Sequence, residues 1–328
     1  CIRDRNTAGA PLVMFSLDYR SNLGSNICNV SYSDLGGGLF SADFASCTWN
    51  AEFPEFNDFF EQVEVEDGVV QFFDMLRAAL RYVFTDPQLA QSDMYLGLML
   101  NHDHKNNCEN NVSAGCSNGG YIAQGLTPIP EGVQSLHEKL LAVPTPQGNL
   151  SHPFQGKELY FELFRYLTGQ RIFNGHVGFT DYADGCESDN LDDSDPSSCA
   201  KGDLDPYEAA WDSSIESGSN YVSPFTNDLQ CSSLHVLNFM FGVSSQDADS
   251  DAAIQASRDA GGLGFVLSGG SNEQFLQILE KMRGTDFAKD PAWGSAPELA
   301  GNQNVTSHFV YNGNVSNTIN GYAIAGGG

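Results

Sequence analysis

The first acid placed where chemistry can gather is Asp18. It follows a short, mainly apolar run, Leu12–Leu17, and the chain then breaks into Arg20, Ser21, Asn22, Gly24, Ser25 and Asn26. An apolar run of this length with turn residues behind it predicts a buried strand. In an open α/β sheet, ligands collect at the carboxyl ends of strands, and Asp18 is expected to stand at such an end.

Two further clusters are candidates for a metal. Asp247-Ala248-Asp249-Ser250-Asp251 follows the apolar run Leu234–Val243 and resembles the first half of a Ca²⁺ loop. An EF-hand needs Gly at the sixth position and Glu at the twelfth, whereas Ala252 and Arg258 stand there. Asp247, Asp249 and Asp251 could still hold Ca²⁺ with oxygens from other loops; otherwise they form a solvated cluster that caps the next helix. His102-Asp103-His104 places two imidazoles on one side of an extended segment, as a transition metal requires, but reads more simply as a polar turn. For nucleophilic hydrolysis the G-x-S-x-G elbow is absent. So are the G-x-x-x-x-G-K-S/T and G-x-G-x-x-G patterns of nucleotide sites.

The net charge of −27 repels nucleic acid and anionic lipid, so neither is an expected partner. No stretch has the roughly 18 uninterrupted apolar residues of a membrane span. Eight cysteines, none in a C-x-x-C zinc pattern, suggest disulfides and an oxidising compartment. Local spacing suggests Cys28 with Cys47, Cys108 with Cys116 and Cys186 with Cys199, leaving Cys1 and Cys231 as a fourth pair. Connectivity stays open, since eight cysteines allow about 105 pairings. A chain opening on Cys1 and ending on Gly326-Gly327-Gly328 is expected to be part of something longer.

The elements that must position these residues alternate. Gly68–Phe84 carries apolar residues at helical spacing, with Asp67 as its cap; Val30–Glu66 before it reads as a loop. Met94–Leu100 is a second buried strand, and Gly120–Leu126 is expected to pair back on it as a hairpin. Helices are predicted over Glu131–Val143 and Lys157–Thr168, the latter stopped by Gly169. An acidic insert covers about 174–202, and Asp205-Pro206 starts a further helix. Leu234–Val243 reads as a central strand. Ser271-Asn272-Glu273-Gln274 is a capping box ahead of a last helix, and a strand is expected near Thr306–Tyr311. This alternation predicts an α/β fold with a doubly wound sheet flanked by helices and disulfide-stapled loop insertions.

The order of these pieces resembles the von Willebrand A-like, Rossmann-type domain that opens PilY-type proteins of bacterial type IV pili. In that family the first strand ends in D-x-S-x-S, which holds a metal with a Thr from a later loop and an Asp after the central strand. Here the motif reads Asp18-Tyr19-Arg20-Ser21-Asn22. Ser151–Tyr160 is similar to the family's G-x-T-P-L-x-E-x-L-Y, with His152 in place of Thr. Phe239–Val243 stands where the family has a strand ending in T-D-G. Asn304–Ala325 is similar to the passage into the family's C-terminal β-propeller.

The resemblance implies a von Willebrand A-like domain over 1–300 and a linker with one strand over 301–328. It implies a degenerate metal-ion-dependent adhesion site whose ligand-binding residues are Asp18, Arg20, Asn22 and His152. Arg20 would supply the charge that a metal supplies elsewhere, by pairing with Asp18. The expected role is a secreted adhesion module of a pilus tip or pilus-assembly protein at the cell surface, not an enzyme. Its partners would be pilus subunits and a surface or host ligand; no cofactor is required, although Ca²⁺ at the acidic cluster is allowed for. The rival expectation is a secreted metal-dependent hydrolase using the acidic loops.

Overall fold

The computed structural model describes residues 9–19, 21–36, 39–44, 46–47, 57, 60, 68–101, 120–143, 156–172, 212–241, 272–289, 299–311, 314 and 316–328. Its centre is a five-stranded sheet. β1 (Leu12–Leu17) lies in the middle, flanked by β6 (Tyr95–Asn101) and β10 (Leu234–Met240), and both pairings are parallel. β11 (Val305–Tyr311) adds to β10, also parallel, and β7 (Gly120–Pro128) returns antiparallel along β6. The expected hairpin is therefore present, with register shifts near Leu96 and Leu98.

Alternation along each strand sends side chains to two faces, and each face is covered. Leu12, Met14, Met99, Leu234, Val236 and Val305 pack against α4 (Gly156–Thr168), α5 (Asn272–Gly284) and α6 (Asn317–Gly326). Phe15, Leu17, Leu96, Leu98 and Leu100 pack against α1 (Phe72–Val83) and α3 (Glu131–Ala142). The short α2 (Pro87–Ala90) links α1 to β6; Asp86 caps it by accepting from Gln88 N–H at 2.7 Å. The result is a mostly parallel sheet with helices on both faces.

α1 shows how one face is locked. Phe73 is fully buried, its ring edge-on to Tyr19 with centroids 6.0 Å apart. The Arg77 guanidinium lies 3.9 Å above the Phe73 ring and donates from Nε to Leu140 O at 2.7 Å. Its Nη2 donates to Val143 O, and its Nη1 meets Asp74 Oδ1 at 3.1 Å. Arg77 thus satisfies orphan carbonyls at the C-terminus of α3 and ties the two helices together. Burial lowers its pKa, and Asp74 is the main opposing influence. Asp74 also accepts from Gln71 N–H at 2.9 Å, closing the first turn of α1.

Three segments differ from the sequence reading. The helix expected over Gly68–Phe84 begins only at Phe72, because Val69–Gln71 extends as β5 and pairs antiparallel with β2 (Asn26–Asn29). Partner availability, not propensity, decides those residues. Part of the expected loop Val30–Glu66 forms an antiparallel pair, β3 (Ser31–Gly36) and β4 (Leu39–Asp43). These strands are too polar and Gly-rich to signal themselves by apolar alternation. Finally, the strand expected near Thr306–Tyr311 is present as the edge strand β11, but it is followed by a helix the sequence reading did not give, α6, whose Ile319 and Tyr322 enter the main core. Asn and Gly within α6 hide its helical pattern.

Beside the main core, Val30, Phe44, Phe60 and Val70 cluster on Ala78 of α1, around the Cys28–Cys47 disulfide with its Cα atoms 5.2 Å apart. A two-residue antiparallel pair, β8 (Glu216–Ser217) and β9 (Asn220–Tyr221), packs near the C-terminus of α4, where Tyr221 OH donates to Glu162 Oε1 at 2.6 Å. The helix expected from Asp205, the acidic insert about 174–202, and the capping residues Asp67 and Ser271 lie outside the described residues.

Truncating Phe73 to Ala removes a buried ring, its contact with Tyr19 and the platform under Arg77. The expected cost is about 3–5 kcal/mol in urea unfolding at neutral pH. A loss under 1 kcal/mol would show that α1 is not held as described.

Candidate functional site

Asp18 stands at the carboxyl end of β1, fully buried. Its backbone N–H donates to Phe239 O at 2.9 Å, which continues the parallel ladder one step past the strand. Its carboxylate then takes over: Oδ2 accepts from Phe241 N–H at 2.9 Å. β1 and β10 diverge at this point, and the side chain satisfies the backbone donor that the ladder no longer reaches. Leaving that buried N–H without an acceptor would cost about 1–3 kcal/mol.

Of the other expected ligands, Asn22 lies in the 3-10 turn Ser21–Gly24 that follows. Arg20 and His152 lie outside the described residues, as do Asp247, Asp249 and Asp251. The expected Arg20–Asp18 pair is therefore not part of the described site. Cys1, Cys108, Cys116, Cys186 and Cys199 also lie outside them; Cys231 is disulfide-bonded. Among the described residues no group of three or more His, Cys, Asp or Glu side chains is placed to hold a metal ion.

What sequence reasoning missed is a polar seam beneath Asp18. Ser16 of β1 and Asn238 of β10 are register partners, both fully buried, and sit among the apolar side chains facing α4. Asn238 Nδ2 donates to Tyr160 OH at 2.9 Å and to His308 O at 3.0 Å. Tyr160 OH in turn donates to Ser307 Oγ of β11 at 2.7 Å. One helix and two strands are thereby joined through a single phenol. Ser16 Oγ and Asn238 Oδ1 have no hydrogen-bond partner among the described residues. Burial pushes the Tyr160 phenol well above its ordinary value, partly offset by its bonds to Ser307 and Asn238, so it remains protonated. The sequence signal was there: a lone polar residue interrupts each apolar run, Ser16 in LVMFSL and Asn238 in LHVLNFM.

α4 is set against this seam by direction. Tyr160, in its first half, reaches Asn238 and Ser307, while Tyr166, near its end, accepts from Leu126 N–H at 2.9 Å. Leu126 lies on β7 close to the start of β6, so α4 runs antiparallel to the parallel strands. Its N-terminus therefore faces the same end of the sheet as Asp18. There Lys157 is fully buried, with Nζ donating to Gln274 Oε1 of α5 at 3.3 Å.

On the opposite face, an apolar cavity of about 280 Å³ opens at the same strand ends. Leu17, Phe72, Met75, Phe239, Met240 and Phe241 line it, and the Phe72 and Phe241 rings meet edge-on with centroids 5.2 Å apart. Phe241 thus links the two features: its N–H holds Asp18 and its ring walls the cavity. Thioether side chains such as Met75 and Met240 adapt their shape to an apolar group. The arrangement can seat an apolar side chain at the carboxyl ends of β1 and β10.

No protein-family model, curated protein or solved structure matches the chain.

Replacing Tyr160 by Phe leaves Ser307 Oγ without its donor and takes one acceptor from Asn238. The expected loss is about 1–3 kcal/mol in chemical denaturation, larger than for any exposed Tyr→Phe change. A loss below 0.5 kcal/mol would mean that the seam does not hold α4 to the sheet.

Proposed function

We propose that this protein is an extracellular binding module with a von Willebrand A-like fold, related in kind to the domain that opens PilY-type pilus proteins. The observation that carries the reading is Asp18, buried at the carboxyl end of the central strand and bonded to the chain just past β10. It is supported by four parallel strands with one antiparallel edge strand, and by a cystine of the sort found in oxidising compartments. No helix among the described residues is long and apolar enough to cross a membrane.

In this reading Asp18 serves the fold more than a metal. Its carboxylate is drawn to Phe241 N–H, where an adhesion-type metal would compete for the same oxygens. Binding then falls to the surface around the strand ends: the cavity walled by Phe72 and Phe241, and the acidic exterior that favours cationic partners. The partners proposed are pilus subunits and a surface or host ligand, with the protein working at the cell surface or pilus tip and catalysing no reaction. Ca²⁺ at Asp247, Asp249 and Asp251 would be an accessory to this role.

Calorimetric titration with Mg²⁺ and Ca²⁺ tests the metal half of the reading. In a chain carrying Asp→Asn changes at Asp247, Asp249 and Asp251, no saturable site is expected. A site that persists there and disappears on Asp18→Ala would overturn it. Surface-immobilised chain is expected to bind purified pilus subunits saturably. Failure to bind them, together with an EDTA-sensitive hydrolytic activity, would put the hydrolase reading in its place.

A further inference from the structure

β10 and β11 carry a histidine pair that the binding role does not use. His235 Nδ1 and His308 Nε2 are 3.1 Å apart. The ring planes differ by 21° and the centroids lie 5.4 Å apart. That separation is the nitrogen gap plus the two half-rings, so the imidazoles are near coplanar and meet edge to edge, in line, not face to face. Each inner nitrogen aims at the other. A metal would need about 2.0–2.1 Å to each nitrogen, or about 4 Å in line, so this gap fits a hydrogen and not an ion.

Neutral neighbours flank the pair on β10 and β11. His235 Nε2 lies 3.3 Å from Ser233 Oγ, and a Cβ on Gly328 would fall 2.6 Å from His308 Nδ1. Leu237, Phe239, Thr306 and Val310, which share this face of the two strands by alternation, do not titrate. Burial first, then the neighbouring His308, lowers the pKa of His235.

We propose that the His235–His308 pair is an acid-operated latch, fastening the edge strand β11 to β10 and releasing it when the pair takes up its second proton. In the neutral pair one N–H donates to the other ring's lone pair. A first added proton goes to an outer nitrogen and strengthens the bond, because an imidazolium then donates to a neutral imidazole. A second proton must go on the inner lone pair. Two N–H groups then face each other, the bond is lost and two like charges remain. The sign follows for His235: with its folded pKa below the unfolded value of about 6.5, its contribution is complete above that pH and is lost as pH falls. β11 is the element to respond, since in the sheet it is paired with β10 alone, while β10 is also held by β1 on its other side. Val310 of β11 also lines the apolar cavity, so release of the strand would open that wall.

Imidazole ¹⁵N shifts and amide-exchange protection, both followed by NMR on the whole chain between pH 8 and pH 4.5, test this. Two separated proton uptakes are expected, the second accompanied by a loss of β11 protection of tenfold or more while β1 and β6 amides stay protected. His308→Gln, which keeps a neutral hydrogen-bonding group, is expected to abolish the pH dependence of β11 protection. Should that variant fail to fold, His235→Gln makes the same prediction. Unchanged β11 protection in the native chain at pH 4.5, or an equal acid loss in a folded variant, would overturn the proposal.

Discussion

The point on which the rest of the structure depends is the junction where β1 and β10 part. Two parallel strands buried on both faces cannot leave backbone donors unmet, since an unpaired buried N–H costs about as much as the hydrogen bond it lacks. Asp18 resolves this by using its backbone for Phe239 O and its side chain for Phe241 N–H. With that end fixed, β1 carries β6 on one side and β10 on the other, and both helical layers have a surface to cover.

A second constraint works two residues below. Ser16 and Asn238 bring polar atoms into the face that α4 must cover, and Tyr160 answers Asn238 while donating to Ser307. Apolar packing is tolerant of small slides, whereas a phenol that donates to Ser307 and accepts from Asn238 has one position. Phe275 and Tyr322 then build on Tyr160: Phe275 meets Tyr160 at 5.5 Å and Tyr322 at 4.9 Å, both edge-on. In this way the seam orders α5 and α6 as well as α4. Arg77 plays the matching part on the other face, where one guanidinium ends α3, stacks on Phe73 and pairs with Asp74.

Stability is unevenly shared across the sheet. β1, β6 and β10 have neighbours on both sides, while β11 has β10 and a single bridge from Ser307 to Gly327. The apolar cavity and the half-exposed Val310 lie toward this less secured side. Binding surfaces are drawn from such regions because a partner can reorganise them at little cost. At the other edge, around β6, β7 and α3, Gln124 is fully buried and donates to both Leu96 O and Gly132 O at 3.0 Å.

The sequence by itself determined the parts that rest on local pattern. Leu12–Leu17 as a strand with Asp18 at its end, the hairpin of Met94–Leu100 with Gly120–Leu126, and the helices near Glu131, Lys157 and Asn272 all follow from apolar spacing and turn residues. Only the tertiary structure decided what depends on a partner distant in the chain. Val69–Gln71 is extended because Asn26–Asn29 is there to pair with it, and the place of the expected strand Val305–Tyr311 beside β10 is likewise a matter of pairing across the chain. The role of Asp18 has the same origin: its type and place are legible, but that its carboxylate meets Phe241 N–H is a fact of register between residues 223 apart. Ser16, Asn238 and Ser307 read singly as weak spots in apolar strands. They become a seam only when parallel pairing sets two of them level and Tyr160 arrives between them. The two histidines are likewise 73 residues apart, and nothing local to either could show that their nitrogens face one another.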